Sequence, residues 1–155
     1  MTQPPSIFER IVAGEIPCHR LHEDEQTLAF LDAGPVARGH CLLIPKQRFV
    51  TLDEVPSEVA SALGAVLPRL VKAVKSATGC DGLNVLQNNG EAAGQAVMHV
   101  HFHLIPRYGA EGGLAAPPPA ADRGFGFDWP AGKLDPQEAQ QLSAAIRGAL
   151  EAEPA

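Results

Sequence analysis

The segment MHVHFHLIPR, Met98 to Arg107, carries three of the chain's six histidines, each separated from the next by one apolar residue. In an extended strand successive side chains point to opposite faces. His99, His101 and His103 then share one face, and Val100, Phe102 and Leu104 share the other. The apolar set belongs against a core, which puts the imidazoles on an open or cleft-facing side. Val97 to Ile105 is accordingly read as a strand.

The spacing limits what the histidines can do. At a rise of about 3.3 Å per residue, neighbours stand about 6.6 Å apart and the outer pair about 13 Å. Zinc–nitrogen bonds are about 2.1 Å, so one metal cannot take all three without a severe kink. Two adjacent histidines could still share a metal if another ligand came from elsewhere. A solvent-facing strand is the plain alternative, although three phased histidines in a chain with six count against it. The remaining reading is catalytic. Imidazole serves near neutral pH as nucleophile, as general acid or base, and as cationic hydrogen-bond donor. A row of them suits a phosphate, one attacking phosphorus while neighbours stabilise oxyanions or help the leaving group depart. The loop just upstream, NNGEAAGQ from Asn88 to Gln95, offers amides and glycine-exposed N–H groups for phosphate oxygens.

Outward from this segment the chain reads as one α+β domain around an antiparallel sheet. Met1 to Pro5 is expected to be a loose end, followed by a capping box at Ser6 and Glu9 that opens a short helix ending near Gly14. Ile7, Phe8, Ile11 and Val12 share one face of that helix. Strand candidates follow at His19 to Glu23, Thr27 to Asp32 and His40 to Pro45, the last two joined by the turn AGPVARG. A long helix is expected from Pro56 to about Ala77, with a kink or break at Pro68 and Gly79 as its stop. Leu83 to Gln87 reads as a further strand. Gly109 to Gly132, rich in Gly, Pro and Ala, reads as an irregular excursion within a 109–134 loop. Asp135 to Glu138 caps a final helix in which Leu142, Ile146 and Leu150 recur every fourth residue, and this helix with its tail occupies 135–155.

Bulk properties narrow the function classes. At 155 residues, 45% apolar and 19% charged, the chain has the size and composition of one folded domain. A net charge of −6 excludes a general nucleic-acid or acidic-membrane binder, although a locally positive pocket for an anionic ligand stays open. No signal peptide or membrane-length apolar run is visible, and the odd, scattered Cys18, Cys41 and Cys80 suggest reduced thiols, so a cytoplasmic setting is expected.

Three blocks now align with a known pattern: SIFERIVAGEIP from Ser6, TLAFLDAGPVARGHCLLIPK from Thr27, and GLNVLQNNGEAAGQAVMHVHFHLIPRY from Gly82 to Tyr108. In order and phasing they resemble the histidine triad (HIT) family, in particular its small bacterial nucleotide hydrolases and phosphoramidases. The resemblance implies a HIT-like fold over 6–108: a five-stranded antiparallel sheet, one long and two shorter helices, and a sheet continued across a homodimer. It implies a nucleotidyl hydrolase or transferase acting on nucleoside 5'-phosphate conjugates, phosphoramidates or dinucleoside polyphosphates, with a purine nucleotide and commonly adenosine as substrate. His101 would attack the α-phosphorus and form a covalent nucleotidyl-histidine. His99 would orient His101 through its backbone carbonyl, His103 would contact the phosphate or bridging atom and help protonate the leaving group, and His40 would line the site. Asp32 would accept from the ribose hydroxyls, Ile7, Phe8, Ile11 and Phe30 would form the base slot, and Asn88, Gly94 and Gln95 would form the phosphate-side loop. No cofactor or metal is required for this chemistry. The plain alternatives stay open: core for the apolar four, a turn role for Asp32, a structural role for His40, and an ordinary turn for Asn88 to Gly90. A nucleotide-binding regulatory module with little turnover is the alternative function; His101→Ala, losing hydrolysis but not AMP binding, would separate the two.

The chain departs from the resemblance in places. Many bacterial relatives have CxxC where this chain has Ser6 to Glu9, and a histidine where it has Arg48; with the first triad histidine these hold a structural zinc. Ser6, Glu9 and Arg48 here replace three of those four ligands, and a lone His99 cannot make a closed four-coordinate site. The expectation is no zinc, with the Ser6/Glu9 cap and a Glu9–Arg48 ion pair as its replacement. Ala96 stands where several relatives carry a hydroxyl, which removes a hydrogen bond worth about 1 kcal/mol.

Overall fold

The computed structural model describes residues 4–109 and 132–152. Of the loose end expected at 1–5 and the irregular excursion expected at 109–132, residues 1–3 and 110–131 fall outside the described residues, as does the tail at 153–155; the Pro4 carbonyl accepts from Arg48. Element order is α1 (Ile7–Val12), β1 (Arg20–Glu23), β2 (Thr27–Leu31), β3 (Cys41–Pro45), α2 (Ser57–Thr78), β4 (Gly82–Gln87), β5 (Phe102–Arg107) and α3 (Pro136–Glu151), with short 3-10 turns at Leu52–Glu54 and Glu91–Ala93. The five strands form one antiparallel sheet in the order β1-β2-β3-β5-β4.

Alternation along the strands divides the core in two. Ala29 and Leu31 of β2, Cys41 and Leu43 of β3 and Leu104 of β5 join a large cluster with Leu63, Val66, Leu70, Val74, Leu142 and Ile146 of α2 and α3. Leu28, Phe30, Leu42 and Ile44 take the other face and meet Phe8 and Ile11 of α1. All five residues of β2 and of β3 are buried, so both faces of the central strands are covered. A strand covered on both faces reads as a continuous apolar run, which is why LLI shows no polar alternation.

The caps behave as their chemistry requires. Ser6 Oγ accepts from the Glu9 N–H and the Glu9 carboxylate accepts from the Ser6 N–H, closing the capping box on α1. Asp135 accepts from the Glu138 N–H at the start of α3. Gly79, at φ 66°, ends α2 in the left-handed conformation that glycine enters without strain. The break expected at Pro68 does not occur: α2 runs unbroken through 22 residues. Pro68 and Gly64, whose carbonyl loses its helical partner, are both exposed, and water can serve that carbonyl.

At Gly39, φ is +87° and an added Cβ would lie 2.6 Å from Thr78 Cγ2 and 3.3 Å from Pro106 Cγ. Glycine thus lets the entry to β3 press against the end of α2. The outer edge of the sheet at β4 is the more open one, with Val85 44% exposed.

The histidine segment departs from expectation in two ways. β5 starts at Phe102, not Val97, because 97–99 bends: the His99 N–H bonds to the Val97 carbonyl at 2.8 Å and the Val100 N–H to the Phe49 carbonyl at 2.7 Å. The imidazole side is also covered, with His99, His101 and His103 only 0%, 4% and 8% exposed. The apolar partners do face the main core, Leu104 within it and Phe102 packed against it. The opposite face is flanked by α1 and by the segment around His40, neither of which is near the triad in sequence.

Candidate functional site

His101 sits at the bend into β5, and its Nδ1 lies 2.7 Å from the His99 carbonyl. A carbonyl only accepts, so Nδ1 carries the proton and Nε2 keeps its lone pair. Burial holds the His101 pKa below its ordinary value, with the bond to the His99 carbonyl opposing it. The result is a neutral imidazole whose basic nitrogen has a fixed identity.

His103 has the opposite tautomer, set by a chain of donors. The Val36 N–H bonds to His40 Nδ1 at 3.2 Å, so His40 carries its proton on Nε2. His40 Nε2 in turn lies 3.0 Å from His103 Nδ1 and donates to it, which leaves the His103 proton on Nε2. Burial is the main cause pushing His40 down to about 4 and His103 down to about 3, with the Arg107 guanidinium adding to it at His40 and the Asp32 carboxylate opposing it at His103. The His101 and His103 rings stand edge to face at 4.7 Å between centroids. A bare Nε2 and an Nε2–H therefore sit on adjacent rings, one suited to attack and the other to hydrogen-bond donation.

Asp32, at the end of β2, lies beside this pair. One carboxylate oxygen accepts from the Gly34 N–H at 2.7 Å, an Asx turn, and the other stands 3.6 Å from His40 Nε2. Asp32, His40 and His103 bring their ligand atoms within 4.8 Å of one another, which would suit a metal. The His40–His103 hydrogen bond already occupies the two facing nitrogens.

His99 is held from α1 and β3. Its Nε2 lies 2.8 Å from the Pro45 carbonyl, so that nitrogen is the donor, and its Nδ1 lies 3.0 Å from Ser6 Oγ. Burial lowers the His99 pKa, which favours the neutral ring with Ser6 donating to Nδ1. Glu9 pairs with Arg48 at 3.6 Å, and Arg48 also donates to the Met98 carbonyl at 3.0 Å and to the Pro4 carbonyl at 3.1 Å. The four positions where zinc is implied do lie together, but as a hydroxyl, a carboxylate, a guanidinium and one imidazole. A guanidinium has no lone pair to offer a cation and repels it, so this donor set does not fit zinc.

The other expected residues are distributed as follows. Phe8, Ile11 and Phe30 are buried in the smaller core cluster, and the Phe8 ring meets His101 at 5.2 Å and His99 at 5.7 Å. Ile7 is 49% exposed and lies outside that cluster. The Asn88 amide donates to the Gly94 carbonyl at 3.4 Å, across a loop that turns at Gly94 with φ 85°. Gln95 is buried and wholly engaged by backbone, accepting from the Gly90 N–H and donating to the carbonyls of Val50 and Val97. It shapes the loop. Sequence reading missed the Ser6–His99 bond, the Pro45 carbonyl and the Val36 amide. The last two are main-chain groups that no residue type announces.

The HIT domain family model matches residues 13–110. Adenosine 5'-monophosphoramidase hnt1 of Schizosaccharomyces pombe is 41% identical over 140 residues, covering 90% of this chain and 94% of that protein. Adenylylsulfatase HINT3 of Arabidopsis thaliana is 45% identical over 105 residues, covering 68% of this chain, which spans only 53% of the plant protein. A Zn-bound histidine triad family protein from Mycobacterium smegmatis superposes with a TM-score of 0.73 at 33% identity, covering 94% of this chain and 93% of that one. The chain belongs to the HIT family.

Proposed function

We propose that the protein is a nucleotide hydrolase that cleaves nucleoside 5'-phosphate conjugates through a nucleotidyl-His101 intermediate. One observation carries this reading: the unprotonated Nε2 of His101 beside the Nε2–H of His103. In the first step the His101 Nε2 lone pair forms a bond to the α-phosphorus while the bond from phosphorus to the leaving group breaks, its electrons departing with that group. His103 Nε2–H donates a hydrogen bond to the departing atom. A neutral imidazole that gave up this proton would become an imidazolate, so the proton itself comes from solvent. In the second step water attacks phosphorus, the phosphorus–Nε2 bond breaks, its electrons return to nitrogen, and a nucleoside monophosphate and a proton are released. No metal enters either step.

The names of the yeast and plant relatives support an adenosine phosphoramidate or adenylyl sulfate as substrate class, with dinucleoside polyphosphates as the wider set. Asp32 would accept from the ribose, and the Asn88–Gly94 turn would face the phosphates. The open β4 edge with exposed Val85 supports a homodimer whose sheet continues from one protomer to its partner. Among the described residues no helix is long and apolar enough to cross a membrane.

The test is rapid quench of the protein with adenosine phosphoramidate, followed by mass analysis. An AMP adduct on His101, absent in His101→Ala with AMP binding kept, is the expected result. Binding without turnover or adduct would instead leave a nucleotide-binding module.

A further inference from the structure

Resting on His101 as nucleophile, we infer that Ser6 and Arg48 are positioning residues for it, acting through the backbone of His99. The His99 carbonyl decides which nitrogen of His101 is bare, so whatever holds that carbonyl sets the aim of the attack. Residue 99 is pinned on every side. Its ring is gripped at Nε2 by the Pro45 carbonyl and at Nδ1 by Ser6 Oγ. The peptide before it is held through the Met98 carbonyl by Arg48 Nε at 3.0 Å, and through its own N–H by Val97. The peptide after it, which contains the orienting carbonyl, is held through the Val100 N–H by the Phe49 carbonyl.

Two of these restraints are side chains, and both trace to a single oxygen. Glu9 Oε2 accepts from the Ser6 N–H at 2.7 Å and lies 3.6 Å from Arg48 Nη1. One branch runs from Glu9 through Ser6 to the His99 ring, and the other from Glu9 through Arg48 to the Met98 carbonyl. The Ser6 hydroxyl is fully employed: it accepts from the Glu9 N–H at 3.1 Å and gives its proton to His99 Nδ1. Residue 99 itself is wholly buried, so no water replaces a lost partner without cost. The geometry joins the cap of a six-residue helix to His99, 93 residues away in sequence, and through the His99 main chain to the nucleophile.

The experiment reads the imidazole nitrogens directly by 15N NMR of the full chain, alongside single-turnover kinetics on adenosine phosphoramidate. In the wild type, His99 should be protonated on Nε2 and His101 on Nδ1. Ser6→Ala should release His101 into a mixture of tautomers and slow the chemical step about tenfold with KM little changed. Ser6→Thr, which keeps the hydroxyl, should restore both. Arg48→Gln probes the other branch and should move the His101 signals in the same direction; it keeps the test decisive if Ser6→Ala fails to fold. Lowered melting temperature with wild-type imidazole spectra and rates in the folded variants would overturn the inference, as would a His99 protonated on Nδ1 alone. A wild type that turns over nothing, yet shows the expected spectral changes, would remove the proposed function and leave the positioning assignment standing.

Discussion

On the face of the sheet covered by α2 and α3, the hydrophobic cluster runs from Leu21 through Leu70 and Val74 to Leu150, and Ser143 is the one buried polar side chain on those two helices among the described residues. On the face covered by α1, the apolar residues Phe8, Ile11, Leu28, Phe30, Leu42 and Ile44 are fewer, and buried beside them lie four imidazoles, His40, His99, His101 and His103. The first face is held by packing, which is tolerant of the identity of its members. The second buries polar rings, and each such ring needs a partner or its desolvation is uncompensated. Those partners are the carbonyls of Pro45 and His99, the Val36 amide and the Ser6 hydroxyl. In satisfying the rings they also fix which nitrogen is bare. The comparison teaches that the requirement to satisfy buried polar groups is, on this face, the same thing as preparing the chemistry.

The sharpest way to break that contrast is to change one residue on each face. His101→Ala should reduce turnover at least about a thousandfold per folded molecule, a loss far beyond what any fall in its urea midpoint accounts for. Its counterpart is Leu70→Ala, at a wholly buried position of the apolar face. It should lower unfolding free energy by about 2–5 kcal/mol and leave turnover per folded molecule intact, as urea titration with parallel kinetics would show. Removing a donor within the polar face should give an intermediate effect. His40→Ala takes the Nε2–H from His103 Nδ1, and kcat should fall about tenfold to a hundredfold with nucleotide affinity less affected.

The contrast should also appear in pH. The histidines are held below the unfolded value of about 6.5, His40 at about 4 and His103 at about 3, so between those values and 6.5 the unfolded chain binds more protons than the native one. Stability therefore holds above pH 7 and declines as pH falls below about 6.5 toward 4. The carboxylates with lowered pKa, Glu9, Glu23 and Asp24, contribute their own loss only at lower pH. A melting-temperature series from pH 8 to 5 would isolate the histidine part, and a flat profile there would contradict the buried neutral rings. The smallest effect expected is none: protein purified without added zinc should contain far less than one zinc per chain, and a chelator should leave its rate unchanged.

Much of this arrangement was legible in the sequence where local chemistry decides it. The caps at Ser6/Glu9 and Asp135, the helical spacing from Leu63 to Val74 and the apolar runs of β2 and β3 each carry their own signal. The two-residue phasing of the histidines correctly sent Leu104 to the main core. Phasing could not show that the opposite face is covered, because its cover comes from Phe8 and Ser6, far away in the chain. The start of β5 was misplaced for a related reason: at 97–101 the main chain leaves the ladder to bond Phe49 and the His101 ring. Pro68 does not break α2 because a proline on the solvent side of a well-packed helix leaves the unpaired carbonyl, that of Gly64, to water.

Gly39 has no reactive group and touches none, yet it sits immediately before His40, wedged between Thr78 and Pro106. Any larger residue there must displace Thr78 at the end of the long helix or Pro106 of β5, or else shift His40, the middle member of the donor chain that sets the tautomer of His103. A variant library screened for faster turnover would register position 39 as intolerant and suggest a chemical role. The intolerance would instead be one of clearance and backbone shape, a main chain at positive φ passing between two side chains.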